Sequence, residues 1–237
     1  MGKDSVAFIA AVCIIGSVAT VLSRSAPVSP AAFFPLAMHN TWTHEVTFSG
    51  GDYHYYMTGT VIRDNWQLQG QISYVVEEEY EPLTKRAPQA KSTVAYFHKD
   101  GFLLRYPWLD SEDSRIWDTQ LGQGVDHVMP SPFVHKTSWK MAMENQVMSK
   151  GGKNSSSATA WIDPTEIQVP AGKFRNCLRV ETVTTSMLPD PRKKTSEFSL
   201  FYVEWYARGV GLVKAVSSEG EGTPVKSVTE LLSYTIR

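Results

Sequence analysis

The chain has 237 residues, a formal net charge of −1 and an aromatic content of 11%. A domain of this size buries enough of its unfolded surface to be stable without disulfides or a structural metal. The balanced charge argues against a nucleic-acid-binding protein, which carries a basic surface, and gives no strong attraction to anionic lipid. The two cysteines, Cys13 and Cys177, lie in an apolar leader and in a predicted strand, so we do not expect them to pair.

The first predicted element is an apolar segment without charged residues, Ser5 to Leu22. Its 18 residues exceed the usual core of a secretory signal, about 7 to 15 residues, and fall just short of a spanning helix, about 20 residues. Residues 1–22 are therefore a retained signal anchor, a cleaved signal peptide or, if Cys13 is acylated, a lipoprotein leader. Lys3 favours a cytoplasmic N-terminus. We expect a single-pass inner-membrane protein with its bulk in the periplasm, or a periplasmic or secreted protein if the leader is cleaved.

A linker follows over residues 23–35, where three prolines and several small residues disfavour helix. Phe33 and Phe34 end this linker. Their position predicts docking either onto the following domain or onto the membrane interface.

Five predicted strands make up the first half of the following domain. Gly50-Gly51-Asp52 and Lys99-Asp100-Gly101 are hairpin turn signals, and Asp64-Asn65 indicates a third turn. A polar loop, Glu81 to Lys91, separates the third strand from the fourth. The five segments are Thr41–Ser49, Tyr53–Arg63, Trp66–Tyr80, Ser92–His98 and Phe102–Trp108.

The middle of the chain predicts one short helix, Asp110 to Leu121, with an acidic first turn and a capping residue at its start. Gly122 to Pro132 is typical of a loop. Strands then resume, and their turns contain glycine pairs or a Pro-Ala-Gly sequence. The later segments are Thr137–Asn145, Ser155–Ile162, Lys173–Met187, Ser196–Ala207, Gly211–Ser217 and Pro224–Ile236.

About ten strands with short connections predict a mainly β domain over residues 36–237. Its expected architecture is a large curved antiparallel sheet or a partly closed barrel with one short helix. A sheet of that width needs its concave face covered, and the short helix and the middle loop are the candidates for this role.

No pattern typical of a catalytic centre or a metal site occurs in the sequence. G-x-S-x-G, HExxH, the P-loop and G-x-G-x-x-G are all lacking. His44 and His54 flank one predicted turn and could face each other, but a zinc site needs three or four converging ligands. A carboxylate pair leaves no local pattern, so a hydrolase is kept as a third alternative. We predict a protein that is not an enzyme and holds no cofactor or metal.

An acidic run ends the third predicted strand and comprises Glu77, Glu78, Glu79 and Glu81. Charged residues at a strand end are often ordinary solvent-exposed residues that prevent edge-to-edge association of sheets. The alternative interpretation is a docking patch for a basic partner. Together with Phe33 and Phe34, these glutamates are the predicted partner contacts.

Aromatic residues are the richest feature of the domain. In the segment Ser196–Ala207, a two-residue period places Phe201, Val203 and Trp205 on one face and Tyr202, Glu204 and Tyr206 on the other. Such residues are typical of an ordinary sheet core. They are also typical of an apolar groove or a docking face. The residues predicted for an apolar groove are Tyr55, Trp66, Phe201 and Trp205.

Two stretches resemble a group of uncharacterised exported bacterial cell-envelope β domains. The opening carries Phe34-Pro35-Leu36 followed by Asn40-Thr41-Trp42. The closing half carries Val169-Pro170-Ala171-Gly172-Lys173-Phe174, then Cys177-Leu178-Arg179-Val180-Glu181, then Trp205 to Lys214. This resemblance implies an exported bacterial β domain with a signal or lipoprotein peptide. The architecture is more distantly similar to half-barrel lipoprotein carriers, which hold acyl chains against a curved sheet, and no ligand contacts follow from that similarity.

The leading functional prediction is a non-catalytic, membrane-tethered envelope protein that docks onto a membrane-protein complex as an accessory or structural subunit at its periplasmic side. The second hypothesis is a carrier of lipid or another apolar ligand in a groove of the curved sheet. The two differ in whether the leader is retained, since a retained helix favours the subunit and cleavage favours a soluble carrier.

Overall fold

A computed structural model describes residues 29–68, 71–85, 90–106, 126–134, 136–141, 153–188 and 196–237. The predicted leader, residues 1–22, and the predicted helix, Asp110–Leu121, lie outside these ranges. Within these ranges, no helix has the length and apolar character needed to cross a membrane.

The described residues form one short 3-10 helix, Pro30–Ala32, and fourteen strands. The first seven strands are β1 Thr41–Phe48, β2 His54–Leu68, β3 Gln71–Pro82, β4 Ala90–Lys99, β5 Phe102–Tyr106, β6 Asp126–Pro130 and β7 Thr137–Met141. The last seven are β8 Lys153–Asp163, β9 Ile167–Val169, β10 Gly172–Phe174, β11 Cys177–Leu188, β12 Ser196–Ala207, β13 Gly211–Ser218 and β14 Val225–Thr235.

Twelve of these strands form one antiparallel sheet in the order β6-β5-β4-β3-β2-β1-β14-β13-β12-β11-β8-β7. The pairing of β1 with β14 joins the first and last described strands, with Thr41 opposite Thr235 and Phe48 opposite Ser227. The edge strands β6 and β7 lie close to each other, so the sheet is nearly closed and barrel-like. The predicted mainly β, antiparallel, curved architecture is confirmed.

The strand count differs from the predicted value of about ten, because short strands lie where turns and loops were expected. Residues 126–130, predicted as loop, form β6, and the Pro-Ala-Gly turn is flanked by the short strands β9 and β10. Asp64-Asn65 does not end β2. Asn65 instead takes a left-handed conformation (φ 53°) inside a strand whose register with β3 shifts there, which is the behaviour of a β-bulge.

Residues 30–40 close one end of the sheet, called here the plugged end. Phe33 is completely buried, and its ring centroid lies 6.4 Å from that of Phe133 in the connection between β6 and β7. The buried side chains around it come from β6, β7, β8, β11 and β12, and they fill the space beside the gap between the edge strands. The C-terminal part of the predicted linker thus lies in the core of the β domain.

Hydrogen bonds attach this N-terminal segment to the C-terminal half of the sheet. The Gly209 amide donates to the carbonyl of Ala32 (2.7 Å). The buried Asn40 side chain donates to the Pro35 carbonyl and accepts from the Arg237 amide (2.9 Å). The opposite end of the sheet, called here the distal end, carries the β1–β2 and β13–β14 turns.

The small β9–β10 hairpin packs against residues of β11, β12 and β13. Ile167 and Val169 form a buried cluster with Cys177, Ala207 and Val213. Because neighbouring residues of a strand point to opposite faces, and Leu178, Tyr206 and Leu212 face inward, this hairpin covers the outer face of the sheet.

Candidate functional site

A cavity of about 410 Å³ lies inside the nearly closed sheet. This volume falls in the range of small-molecule sites, roughly 300 to 1,000 Å³. The cavity is lined by Phe34, Pro35 and Leu36 of the N-terminal segment and by side chains from nine strands, namely β1, β2, β3, β4, β5, β6, β11, β12 and β13. The apolar lining includes Trp42, Met57, Val76, Val128, Val180 and Leu212, and the polar lining includes His44, Glu78, Tyr80, Tyr96, Arg105, Thr182, Glu204 and Tyr206.

Glu78 is the centre of the polar part of the lining. The alternation of β3 directs Val76, Glu78 and Tyr80 into the cavity and sends Glu77 and Glu79 to the outer face. Only 8% of Glu78 is exposed. A carboxylate buried to this extent requires hydrogen-bond donors, because an unpaired buried charge is strongly unfavourable.

Three side chains supply those donors. The Tyr80 phenol donates to Glu78 Oε2 at 2.8 Å, and the Ser92 hydroxyl donates to the same oxygen at 3.4 Å. The Arg105 guanidinium on β5 reaches Glu78 Oε1 at 3.5 Å. Both carboxylate oxygens are therefore engaged by groups of the protein itself.

Three tyrosines border the cavity and are held in their neutral form. Burial and the neighbouring Glu78 carboxylate raise the pKa of Tyr80. Burial likewise raises the pKa of Tyr96, while the nearby Arg105, its hydrogen-bond partner, acts in the opposite direction. Tyr206 has its pKa raised by burial and by Glu204, to which it is hydrogen bonded. The lining thus presents phenols that are fixed by charged neighbours.

His44 presents a different feature, a buried acceptor without a partner. The ring is 5% exposed, and its Nε2 lies 3.0 Å from the Leu212 carbonyl, so Nε2 carries the proton and donates. Burial lowers the pKa of His44, an effect only partly offset by the Leu212 hydrogen bond and the charge of Glu78. The neutral ring therefore has a lone pair on Nδ1, which has no hydrogen-bond partner among the described residues.

An aromatic row leads from the cavity to the distal end of the sheet. The ring centroids of Tyr80 and Tyr55 lie 5.7 Å apart, those of Tyr55 and Phe48 6.4 Å, and those of Phe48 and Tyr53 5.8 Å. Phe48 and Tyr53 are 40% and 45% exposed. The aromatic row (Phe48, Tyr53, Tyr55 and Tyr80) thus connects the buried polar cluster with the solvent.

At the plugged end, residues of the two stretches that resemble exported bacterial β domains contact each other and form the floor of the cavity. Phe34 packs on Tyr206 with ring centroids 4.7 Å apart. The Trp42 indole donates a hydrogen bond to the Val210 carbonyl and lies against Gly211. A β-carbon at Gly211 would lie 3.1 Å from Trp42 Nε1, a tight contact, and the backbone there has φ 109°, a conformation that favours glycine. These motif residues have a structural role at this end.

The four residues predicted for an apolar groove lie at separate places. Tyr55 belongs to the aromatic row, and Trp66 packs in a cluster of β3, β4 and β5 side chains that includes Val75 and Phe97. Phe201 and Trp205 share the face of β12 opposite Glu204 and Tyr206, which is the outer face. There the Trp205 indole donates to Asp163 (3.3 Å), and Arg179 lies 5.2 Å from its ring centroid.

The predicted partner contacts are divided between the interior and the surface. Phe33 is buried in the core and Phe34 borders the cavity floor. Glu78 faces the cavity, Glu77 pairs with Lys91 at 2.9 Å, and Glu79 and Glu81 are exposed. The acidic run is therefore one buried acid among surface acids.

The two histidines that flank the first hairpin turn do not face each other. His44 faces the cavity, whereas His54 lies on the outer face and contacts Glu45 at 2.6 Å. No group of three or more His, Cys, Asp or Glu side chains suitable for a metal ion occurs in the described part of the chain. Cys177 is buried, and burial raises the pKa of its thiol to about 11.

Sequence reasoning overlooked the polar half of the lining, above all Tyr80, Tyr96 and Arg105. The sequence of β3 contains a signal for Glu78. The two-residue alternation assigns Glu78 to the same face as Val76 and Tyr80, which indicates that this acid points toward the interior. Arg105 carried a weaker signal, as a lone charge between Leu103, Leu104 and Tyr106.

Two solved structures resemble this fold over most of the chain. One is a candidate lipoprotein from Parabacteroides distasonis, with a TM-score of 0.50 and 18% identity, over 86% of this chain and 98% of that one. The other is a candidate exported protein with a YmcC-like fold from Bacteroides fragilis, with a TM-score of 0.46 and 12% identity, over 84% and 96% of the two chains. No family model and no curated protein matches the sequence significantly. The likeness to the Parabacteroides protein shows that the two chains share a fold.

Proposed function

We propose that this protein is a non-catalytic, exported envelope protein that holds a small amphipathic ligand inside its sheet. The observation that carries the proposal is the cavity of about 410 Å³, whose lining combines apolar side chains with a buried polar cluster around Glu78. Ligand sites typically combine a mainly apolar wall with a few fixed polar groups. The orphan acceptor of His44 supports a bound partner, since buried polar atoms are normally hydrogen bonded.

The aromatic row supports a route for the apolar part of the ligand. It runs from Tyr80 in the cavity to the exposed rings of Phe48 and Tyr53 at the distal end. A ligand tail that lies along these rings would place its polar end at Glu78, Arg105 and His44.

Native mass spectrometry of the full chain, isolated gently from bacterial envelopes, tests this function. We expect a non-covalent adduct that is lost in Gly59→Leu, because Gly59 lines the cavity and a larger side chain there occupies ligand space. A β-carbon at Gly59 would lie 3.5 Å from Val76 Cγ1, an ordinary contact, so the substitution is tolerated by the backbone. Thr60→Leu adds a leucine at the next position, on the opposite face, and is the matched control. Adduct-free wild-type protein, or equal adducts in both variants, would refute the proposal.

We propose binding rather than catalysis, although Glu78 and Glu204 border one cavity as a carboxylate-pair hydrolase would require. A general acid or base must exchange a proton with a substrate atom at hydrogen-bond distance. Both oxygens of Glu78 are already engaged by Tyr80, Ser92 and Arg105. Hydrolysis of an ester or glycoside that disappears in Glu204→Gln would favour the enzyme instead.

A second candidate function is docking onto a membrane-protein complex as an accessory subunit. It is favoured by exposed apolar side chains near the distal end, namely Phe48, Tyr53, Leu83, Met187, Phe198 and Val225. Glu79 and Glu81 are exposed on the adjoining part of β3 and suit a basic partner. Co-purification from mildly solubilised membranes tests this candidate, and a lone monomer in several detergents would contradict it.

We propose an envelope location, at the inner membrane through residues 5–22 or in the periplasm if the leader is cleaved. Support comes from the apolar leader and from the fold shared with a protein described as a candidate lipoprotein. Fractionation of cells, with N-terminal mass analysis of the mature chain, separates retention, cleavage and acylation at Cys13. Recovery in the cytosol would overturn the location.

A further inference from the structure

We propose that the plugged end of the sheet is a docking surface for an anionic phospholipid bilayer, the membrane that carries the leader. This inference goes beyond the ligand-binding function, because it concerns the outer surface and not the cavity. It rests on the proposed membrane location, since residues 5–22 bring that bilayer close to the domain. The charges at this end, their arrangement and the length of the preceding chain all support it.

The chain as a whole carries a formal charge of −1, but the plugged end has an excess of basic residues. The exposed acids there are Asp64, Asp100 and Glu166, and the Glu166 carboxylate already pairs with Lys173 (3.3 Å) and Arg175 (2.8 Å). Four further exposed basic side chains have no acidic partner among the described residues, namely Lys99, Lys136, Arg208 and Arg237. Between residues 29 and 237, the connections at this end lie outside the described ranges only at residues 69–70 and 135, which are not acidic.

Two of the four unpaired cations lie beside the buried N-terminal segment. The Arg208 guanidinium is 5.2 Å from the ring centroid of Phe33. Phe33 packs against Phe133, which belongs to the same β6–β7 connection as Lys136. Both cations are therefore carried by the packed core of the plugged end, although their side chains are exposed.

The other two cations are connected to the same region by backbone hydrogen bonds. The Ser131 amide of the β6–β7 connection donates to the Gly101 carbonyl (2.7 Å), in the turn that also carries Lys99. The Arg237 amide donates to the buried Asn40 side chain (2.9 Å). The four cations thus belong to one end surface and are not spread over the sides of the sheet.

Exposed apolar side chains accompany the cations. Val134 is 50% exposed two residues before Lys136, Ile72 of β3 is 51% exposed and Tyr234 of β14 is 41% exposed. Basic residues interspersed with apolar and aromatic ones are typical of protein surfaces that lie at lipid headgroups. The plugged end therefore has the composition of an interfacial surface.

The length of the preceding chain favours a bilayer as the occupant of this surface. Seven residue steps separate Leu22, at the end of the apolar leader, from Ser29 at the plugged end. The two residues are thus at most about 25 Å apart. Each Lys or Arg close to an anionic leaflet strengthens binding about fivefold. A soluble polyanion is not brought to this end by the chain itself.

The resulting orientation directs the distal end away from the bilayer. The exposed acids Glu79, Glu81 and Glu221 lie toward that end and are repelled by an anionic surface. Phe48 and Tyr53, the exposed rings of the aromatic row, also lie there. The row therefore opens on the side opposite the membrane that carries the leader.

Acetylation of lysines in the full chain, incorporated into lipid nanodiscs and measured by peptide mass spectrometry, tests the surface. Discs of phosphatidylcholine alone are compared with discs that contain about one third phosphatidylglycerol, and neither lipid has an amine. At low salt we expect acetylation of Lys99 and Lys136 to fall about fivefold or more in the anionic discs. High salt should restore it by screening. Lys85, exposed near the distal end, is the internal control and should change less than twofold.

The possible outcomes separate the surface from the location. Unchanged acetylation of Lys99 and Lys136, equal protection in both lipids, or protection of Lys85 instead overturns the inference and leaves a disc-bound protein at its proposed location. Protection by soluble dextran sulfate but not by phosphatidylglycerol identifies a soluble polyanion as the partner and also overturns it. Failure to co-elute with either kind of disc contradicts the membrane location, and with it the inference.

A paired charge reversal tests whether the position of the charges decides. Lys99→Glu combined with Arg237→Glu should return acetylation of Lys136 in anionic discs to within twofold of its value in phosphatidylcholine. Lys85→Glu combined with Lys226→Glu changes the net charge equally near the distal end and should leave Lys136 protected. If the first pair does not fold, as judged by its thermal transition, Lys99→Gln replaces it and should weaken the protection about fivefold. Equal loss of protection in both pairs refutes the inference.

Discussion

Tyr80 and Glu78, two residues apart on β3, share a 2.8 Å hydrogen bond inside the sheet. The same alternation sends Glu77 outward to Lys91. Strand alternation thus places one acid of the run, Glu78, at the centre of an enclosed polar cluster. Because Tyr80 is buried beside this carboxylate, the ionisation of Tyr80 is linked to folding.

The first prediction concerns alkaline pH and Tyr80. Because burial and Glu78 raise the pKa of Tyr80, the unfolded chain loses this proton first, near pH 10, while the folded chain keeps it. Stability from this group is therefore complete below about pH 10 and is lost as the pH rises above it. At pH 8 we expect Tyr80→Phe to cost about 1.5 kcal/mol, through the lost bond to a charged acceptor. Urea unfolding from pH 8 to 11 should show that the difference in unfolding free energy between the wild-type protein and Tyr80→Phe becomes smaller. A difference that stays constant over this range would contradict the role of Tyr80.

The second prediction concerns acid and His44. The pKa of His44 is lowered by burial from its ordinary value of 6.5, so the unfolded chain takes up a proton before the folded chain does. The contribution of the neutral histidine is present above about pH 6.5 and is lost as the pH falls below it. Relative to His44→Gln, the wild-type protein should lose up to about 2 kcal/mol of unfolding free energy between pH 7.5 and 5.

Denaturant unfolding of both proteins at each pH measures this difference directly. His98 also has its pKa lowered by burial and remains in both chains, so its effect cancels in the comparison. Parallel pH profiles of the two proteins would rule out His44 as the titrating group.

The third prediction concerns the contact between Gly211 and Trp42. A β-carbon at Gly211 meets a left-handed backbone (φ 109°) and the Trp42 indole at 3.1 Å. We expect Gly211→Ala to destabilise the fold by about 2 kcal/mol or more, since the backbone cost alone is about 1 to 2 kcal/mol. Gly209→Ala in the same turn is the control, because Gly209 has φ 70° and open space around its β-position. Equal losses in chemical denaturation would mean that the Trp42 contact adds nothing.

The fourth prediction tests whether residues 30–35 belong to the folded domain. Phe33 is fully buried, so Phe33→Ala should cost about 3 to 5 kcal/mol, the usual range for removing a buried phenylalanine side chain. Phe48→Ala removes the same group from a 40% exposed ring and should cost less than about 1 kcal/mol. Thermal and urea transitions of the two variants provide the comparison. A small effect at Phe33 would mean that this segment is only loosely attached.

Local patterns were sufficient for the general architecture. Two-residue alternation and glycine-containing turns depend on nearest neighbours in the chain, and they predicted an antiparallel β domain with strands close to β1, β4, β11 and β12. The separation of Glu204 and Tyr206 from Trp205 onto opposite faces also follows from alternation alone. One strand boundary was wrong at Asn65, where a turn was predicted and β2 instead continues through a bulge with a left-handed residue. A bulge and a turn use the same residue types, so the local pattern does not distinguish them.

Tertiary structure alone decided which of those faces encloses the cavity. Both faces of β12 carry aromatic residues, so composition does not distinguish the concave face from the convex one. That choice depends on sheet closure, which pairs β1 with β14 across almost the whole chain and brings Phe34 against Tyr206. The environments of Glu78, Arg105 and His44 arise from the same long-range pairing. Local alternation therefore specifies the strands and their two faces, and the closure of the sheet in three dimensions selects the side chains that line the cavity.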